Sequence, residues 1–161
     1  MTQRYILAVV TRNSPGVLSR MAGLLRRKLF NIDSLTVGRT PKAGESRFTI
    51  VIEGDETQAQ KAAQLIDRLI EVRSVMILPR SECLRREVVL ARFRLKDEAQ
   101  AALLQHAETE VLSQNLGQQG DIITMELVDG SQKLDDFLAK IQAANIEVLD
   151  WVRSGVIAME Q

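Results

Sequence analysis

Apolar positions alternate between two periods along this chain, and the switches mark its elements. Residues 5–10, Tyr-Ile-Leu-Ala-Val-Val, form an apolar run rich in β-formers and predict a buried strand. Leu18, Met21, Ala22 and Leu25 then recur at i, i+3, i+4 and i+7, the stripe of an amphipathic helix. Asn13 or Ser14 is expected to cap that helix, with Pro15 in its first turn and Arg26, Arg27 and Lys28 at its end. Residues 32–37 and 48–52 read as strands joined by a turn over 38–44, which holds two glycines and a proline. Asp55 is expected to cap a second helix, with Gln58 completing a capping box and Ala59, Ala62, Ala63, Ile66, Leu69 and Ile70 forming its apolar face. Residues 72–78 give a fourth strand, ended by Pro79.

The order strand, helix, strand, strand, helix, strand is the split βαβ, ferredoxin-like arrangement: an antiparallel sheet with both helices on one face. The second half repeats it. Strands are expected over 87–93, 110–114 and 122–127, the last two flanking Gly117 to Gly120, and over 146–152. A short strand over 155–159 is added at the end. Helices are expected over 97–107, with Ala99, Ala102 and Leu103 inward, and over 131–143, with Leu134, Phe137, Leu138 and Ile141 inward. The fold class is therefore α+β, with two ferredoxin-like βαββαβ units, 1–79 and 80–161. The halves share a pattern but little residue identity.

Composition narrows the function. No apolar run approaches the ~20 residues of a membrane span. The first residues lack the layout of a signal peptide. One cysteine, Cys83, excludes an intrachain disulfide and fits a reducing compartment. A cytoplasmic protein without a membrane role is expected. The net charge of zero divides unevenly: residues 1–80 hold 13 Lys/Arg against 7 Asp/Glu (+6), and residues 81–161 hold 8 against 14 (−6). Two differently solvated surfaces account for this, and docking of one half on an acidic partner is the sharper alternative. Nucleic acid is not expected, because no Lys/Arg tract is interleaved with aromatics. An RNA-binding module of this fold displays two or three stacking aromatics on its sheet, whereas only Tyr5 and Phe48 lie on strands of the first unit.

Catalytic chemistry is missing. The single histidine, His106, falls near the end of an expected surface helix, where a solvated or partly packed ring is the ordinary reading. Cys83 has no second ligand at metal spacing. No phosphate-cradling glycine loop occurs, and Asp135-Asp136 lie where a helix N-terminus favours carboxylates. No catalytic residue, metal or cofactor is expected in this chain. The turn at Asn13 to Gly16 is different. Its backbone N–H groups at a helix start suit the carboxylate of a free amino acid, and Gly16 lets a ligand approach closely. Amide oxygens on Asn13 or Asn31 could accept from its ammonium. Val17, Leu18 and Ile32 could surround an aliphatic side chain. An ordinary capped turn is the alternative.

Asn13-Ser14-Pro15-Gly16-Val17-Leu18-Ser19-Arg20 resembles the N-x-P-G-V-L-S-R signature of ACT domains. Together with residues 31–37 (Asn-Ile-Asp-Ser-Leu-Thr-Val) and 46–50 (Ser-Arg-Phe-Thr-Ile), it resembles the regulatory, or small, subunit of acetolactate synthase (acetohydroxyacid synthase). Residues 86–90, 130–138 and 152–156 resemble that family's second domain, so the resemblance implies an ACT domain followed by an ACT-like domain. It implies a non-catalytic subunit that activates a catalytic large subunit using thiamine diphosphate, Mg²⁺ and FAD. It also implies feedback inhibition by a branched-chain amino acid, most often valine, bound between two ACT domains of a homodimer. Carried onto this chain, the effector residues are Asn13, Gly16, Val17, Leu18, Asn31 and Ile32, with Ser19 a weaker candidate. Leu29 stands where the family carries glycine, at a helix end that typically takes positive φ; leucine resists this, so a different turn is expected before Asn31. A stand-alone ACT regulator of another enzyme or of transcription is the competing reading.

Overall fold

The computed structural model describes residues 3–79, 83–106 and 110–161. They form two compact units, Met1–Leu84 with Val156–Gln161, and Arg85–Gly155.

The first unit holds β1 (Gln3–Arg12), α1 (Val17–Arg27), β2 (Asn31–Arg39), β3 (Glu45–Gly54), α2 (Glu56–Asp67) and β4 (Val72–Leu78). Its sheet is antiparallel between neighbours, in the order β2-β3-β1-β4. Alternation along the strands sends Leu7, Val9, Phe48, Ile50 and Ile52 to the face covered by both helices, where they meet Val17, Met21, Leu25, Ala59, Ala62 and Ile66. On the other face, Ile6, Ala8, Val51 and Leu78 bury against Val156 and Ala158. The sequence reading groups 80–161 together; the burial of Val156 and Ala158 is what returns Val156–Gln161 to the first unit.

The helix ends follow local chemistry. Asp55 caps α2: its carboxylate accepts from the Gln58 backbone N–H at 2.7 Å, and the Gln58 side chain accepts from the Asp55 N–H at 2.9 Å. α2 stops at Asp67, so Ile70 lies beyond it and is exposed rather than on its apolar face. The buried stripe of α1 is Val17, Met21 and Leu25, and Leu18 is 45% exposed instead of inward. Neither Asn13 nor Ser14 caps α1; that place belongs to Gly16. Leu29 takes φ +59°, and its N–H donates to Arg26 O while that of Phe30 donates to Leu25 O. This is the paired bonding a glycine would give at a helix end. The turn therefore forms with leucine, whose side chain is left 92% exposed.

The second unit contains most of β5 (Cys83–Arg94), then α3 (Glu98–His106), β6 (Leu112–Gln119), β7 (Ile122–Asp129), α4 (Ser131–Ala143) and β8 (Glu147–Arg153). Its sheet runs β6-β7-β5-β8, and the last strand, β9 (Ile157–Glu160), pairs with β5. Val89, Phe93, Leu104, Leu127, Leu134, Phe137 and Ile141 form the core, with Trp151 edge-on to Phe93 at 6.4 Å. On α3 the buried residues are Gln100 and Leu104, while Ala99 and Ala102 are exposed. The Gln100 amide donates to Ala144 O and Asn145 O, carbonyls left open at the end of α4, and so a polar residue occupies the inward position. Ala107 lies outside the described residues. Gly117 to Gln119 continue β6 instead of forming the turn, which falls at Gly120 and Asp121.

Candidate functional site

The β1–α1 turn is built around one glycine. β1 is fixed at its end by bonds from Arg12 N to Glu71 O and from Asn13 N to Gly44 O, both 2.8 Å. The chain then reverses through Ser14 and Pro15 into Gly16, which adopts φ +85° as the residue preceding α1. That left-handed conformation comes without strain only in glycine. No side chain caps the helix, so its first N–H groups lack the acceptor a capping serine or aspartate would supply. Those donors open onto a hollow of about 170 Å³ lined by Thr11, Arg12, Asn13, Ser14, Gly16, Val17, Leu18, Val37, Ser46 and Phe48.

Arg20 lies beside the turn with its charge matched by Glu71. The Arg20 guanidinium donates to Pro15 O at 3.4 Å and pairs with Glu71. A Cβ built on Gly16 would lie 2.9 Å from Arg20 Nη1. An anion at this turn therefore meets helix N–H groups and the positive end of the α1 dipole, with the Arg20–Glu71 pair beside them. Val17, Leu18, Val37 and Phe48 supply an apolar wall beside it. The Thr11 hydroxyl, fully buried at the end of β1, has no hydrogen-bond partner among the described residues.

Asn13, Gly16, Val17 and Leu18 thus share one hollow, and Asn31 and Ile32 do not reach it. Asn31 opens β2 opposite Glu53, which faces Arg4 near the start of β1. The far end of β2, Arg39, aligns with Ser46 and through it with Thr11. At about 3.3 Å per residue, the eight steps from Asn31 to Arg39 separate the two asparagines by more than roughly 25 Å. Asn31 instead donates to Glu53 at 3.3 Å, and Ile32 packs on the core of its own unit. Ser19 does not line the hollow. The effector set read from sequence lacks Thr11, Arg12, Ser14, Val37, Ser46 and Phe48, which also line the hollow. Strand register is the signal that reaches three of them: Val37 pairs with Phe48, and Ser46 lies on the same face.

In the second unit, the motifs around residues 130–138 and 152–156 meet in one polar cluster. Arg153 reaches from β8 to both carboxylate oxygens of buried Glu87, at 2.9 and 2.6 Å, and to Asp135 on α4. Ser131 donates to Glu87 at 3.0 Å. These hydrogen bonds, with Glu87 first, raise the Arg153 pKa above its already high ordinary value against the opposing effect of burial. The guanidinium stays charged throughout the working pH range. The cluster is a paired, satisfied lock between sheet and helix. Among the described residues, no group of three or more His, Cys, Asp or Glu side chains could hold a metal ion. His106 is exposed at the last position of α3. No helix among the described residues is long and apolar enough to cross a membrane.

Two family models match the chain in tandem. One, an acetohydroxyacid synthase small subunit-like ACT domain, covers residues 7–74; the other, the small subunit of acetolactate synthase, covers residues 86–161. The probable acetolactate synthase small subunit of Archaeoglobus fulgidus is 32% identical over 97% of this chain and 96% of its own length. The chain belongs to the acetolactate synthase small subunit family. The isozyme 3 small subunit of Escherichia coli is 30% identical over 98% of this chain and 96% of its own. The crystal structure of the Thermotoga maritima acetolactate synthase small subunit superimposes with a TM-score of 0.86 at 25% identity, covering 99% of this chain and 98% of that one. Both βαββαβ units are thereby those of the small-subunit fold, and the Gly16 hollow lies in its ACT domain.

Proposed function

We propose that this chain is the regulatory subunit of an acetolactate synthase. It raises the activity of a catalytic large subunit and confers feedback inhibition by a branched-chain amino acid, with valine the first choice. The thiamine diphosphate, Mg²⁺ and FAD of the reaction belong to the catalytic partner.

The observation that carries this reading is the Gly16 turn. Uncapped helix N–H groups and Arg20 suit an amino-acid carboxylate, and Val17, Leu18, Val37 and Phe48 suit a short branched side chain. Acceptors for the ammonium are incomplete within one copy, because Asn31 is at the other end of β2. β2 is an edge strand of nine residues in which Asp33 and Arg39 are the only charges, and such an edge is open to pairing. Antiparallel pairing of two β2 strands about Leu35 sets residue 31 of one opposite residue 39 of the other. Asn31 of the partner subunit then arrives beside the hollow of the first copy. The homodimer therefore carries two equivalent effector sites, each made from both chains.

A bound amino acid favours one arrangement of that dimer, and the arrangement changes how the catalytic subunit is held. Coupling of this kind is typically ~1–3 kcal/mol and acts equally in both directions on binding. The test is acetolactate production by the cognate catalytic subunit, with and without this chain, while valine, leucine and isoleucine are titrated. Stimulation followed by inhibition is expected. Absence of any effect on the enzyme would contradict the subunit assignment. Stimulation without inhibition by all three amino acids would contradict the effector site alone.

A further inference from the structure

The two faces of β2 and β3 hold different things at the same height. Val37, Ser46 and Phe48 line the Gly16 hollow. Their immediate neighbours Thr36 and Arg47 point to the opposite face, where the last strand of the chain crosses. Thr36 Oγ1 donates to Val156 O at 2.9 Å, and Arg47 Nη2 donates to Ala158 O at 2.9 Å. Val156 N–H lies 3.5 Å from Ser34 Oγ. Between these polar anchors, Val156 and Ala158 bury their side chains on Ile6, Ala8, Val51 and Leu78. One side of this patch of sheet is the wall of the hollow, and the other is the seat of residues 156–158.

The seat is specific. A sheet face closed by apolar contact alone tolerates sliding of what covers it, whereas side-chain donors aimed at two alternate carbonyls fix register. Ser154 N–H donates to Val88 O at 2.9 Å, Val88 N–H donates to Ser154 Oγ at 3.0 Å, and Gly155 turns the chain at φ +81°. Arg153, just before, is held by Glu87 and Asp135. Any shift of β2 against β3 at the hollow would therefore be felt by Thr36 and Arg47, and through them by the carbonyls of Val156 and Ala158.

We infer that residues 156–158 are a read-out strap for the effector site, seated by Thr36 and Arg47 on the back of the wall that the effector touches. This rests on the effector reading of the Gly16 hollow. Ligand binding and strap seating are then linked, so that each strengthens the other. Neither Thr36 nor Arg47 faces the hollow. They act on the strap and not on the ligand.

Hydrogen exchange of the full chain, with valine as the probe and leucine and isoleucine as further arms, tests this. Binding is expected to slow exchange in residues 11–25 and also, by at least about threefold, in residues 156–160. Slowing confined to residues 11–25 would overturn the strap while leaving the effector site standing. No slowing anywhere with any of the three amino acids would overturn both, and is thereby distinguishable. Variants supply a second measurement. Arg47→Met and Thr36→Val should each raise the concentration of valine giving half-inhibition of the reconstituted enzyme, by about fivefold or more, while stimulation in the absence of valine persists. Circular dichroism and melting establish that each variant is folded. Folded variants with half-inhibition unchanged would overturn the inference.

Discussion

Asn13, just past the end of β1, and Asn31, the first residue of β2, stand at opposite ends of one sheet, because β1 and β2 run parallel with β3 between them. If the effector site is the one proposed, a single copy holds its two halves apart. The half around Gly16 carries the anion-binding donors and the apolar wall; the half at the start of β2 carries an exposed amide. On the effector reading proposed above, this separation requires two copies to pair before a site is complete.

Gly16→Asp should abolish feedback inhibition while leaving stimulation of the catalytic subunit. The new side chain sits at φ +85°, meets Arg20, and places a carboxylate where the effector's carboxylate belongs. The strain alone costs about 1 kcal/mol. Half-inhibition by valine should rise by more than about tenfold, equivalent to about 1.4 kcal/mol of binding. An unchanged midpoint would move the site elsewhere.

Leu29→Gly should stabilise the protein. Leu29 has positive φ and is nearly fully exposed, so glycine removes strain and loses almost no packing. Relief of about 1–2 kcal/mol, offset by the greater freedom of glycine when unfolded, leaves roughly 0.5–1 kcal/mol. A rise in the melting temperature of a few degrees, with effector response unchanged, is expected by calorimetry. A lower melting temperature would show that the leucine side chain contributes contacts.

Arg153→Met should destabilise the second unit by about 3 kcal/mol or more, because buried Glu87 then keeps its charge without its partner. Adding Glu87→Leu to the same chain should recover part of that loss. Urea denaturation followed by Trp151 fluorescence measures both. A double variant as unstable as the sum of the singles would show that the two side chains act independently.

The legible parts of the fold are those that local chemistry decides. Asp55 and Gln58 announce the start of α2, and Leu134, Phe137 and Ile141 announce the face of α4, because caps and stripes need only neighbours in sequence. The start of α1 escapes the same reasoning. Asn13, Ser14 and Pro15 look like a capping sequence, but Gly16 takes the capping place and leaves the helix N–H groups open. Leu18 completes an apolar stripe on paper; in three dimensions it borders the hollow. The separation of Asn13 from Asn31, the pairing of Val37 with Phe48, and the seating of Val156 on Thr36 depend on strand order and long-range register. No local pattern carries these.

The shared site is tested most directly by complementation between two inactive chains. Asn13→Ala and Asn31→Ala proteins, each pure, should bind little or no valine by equilibrium dialysis. Mixed and allowed to exchange subunits, half of the dimers become hybrids with one intact site each, and binding capacity should return to about a quarter of the wild-type value. A mixture that binds no more than its components, with subunit exchange verified by mass spectrometry, would contradict an effector site built from two copies.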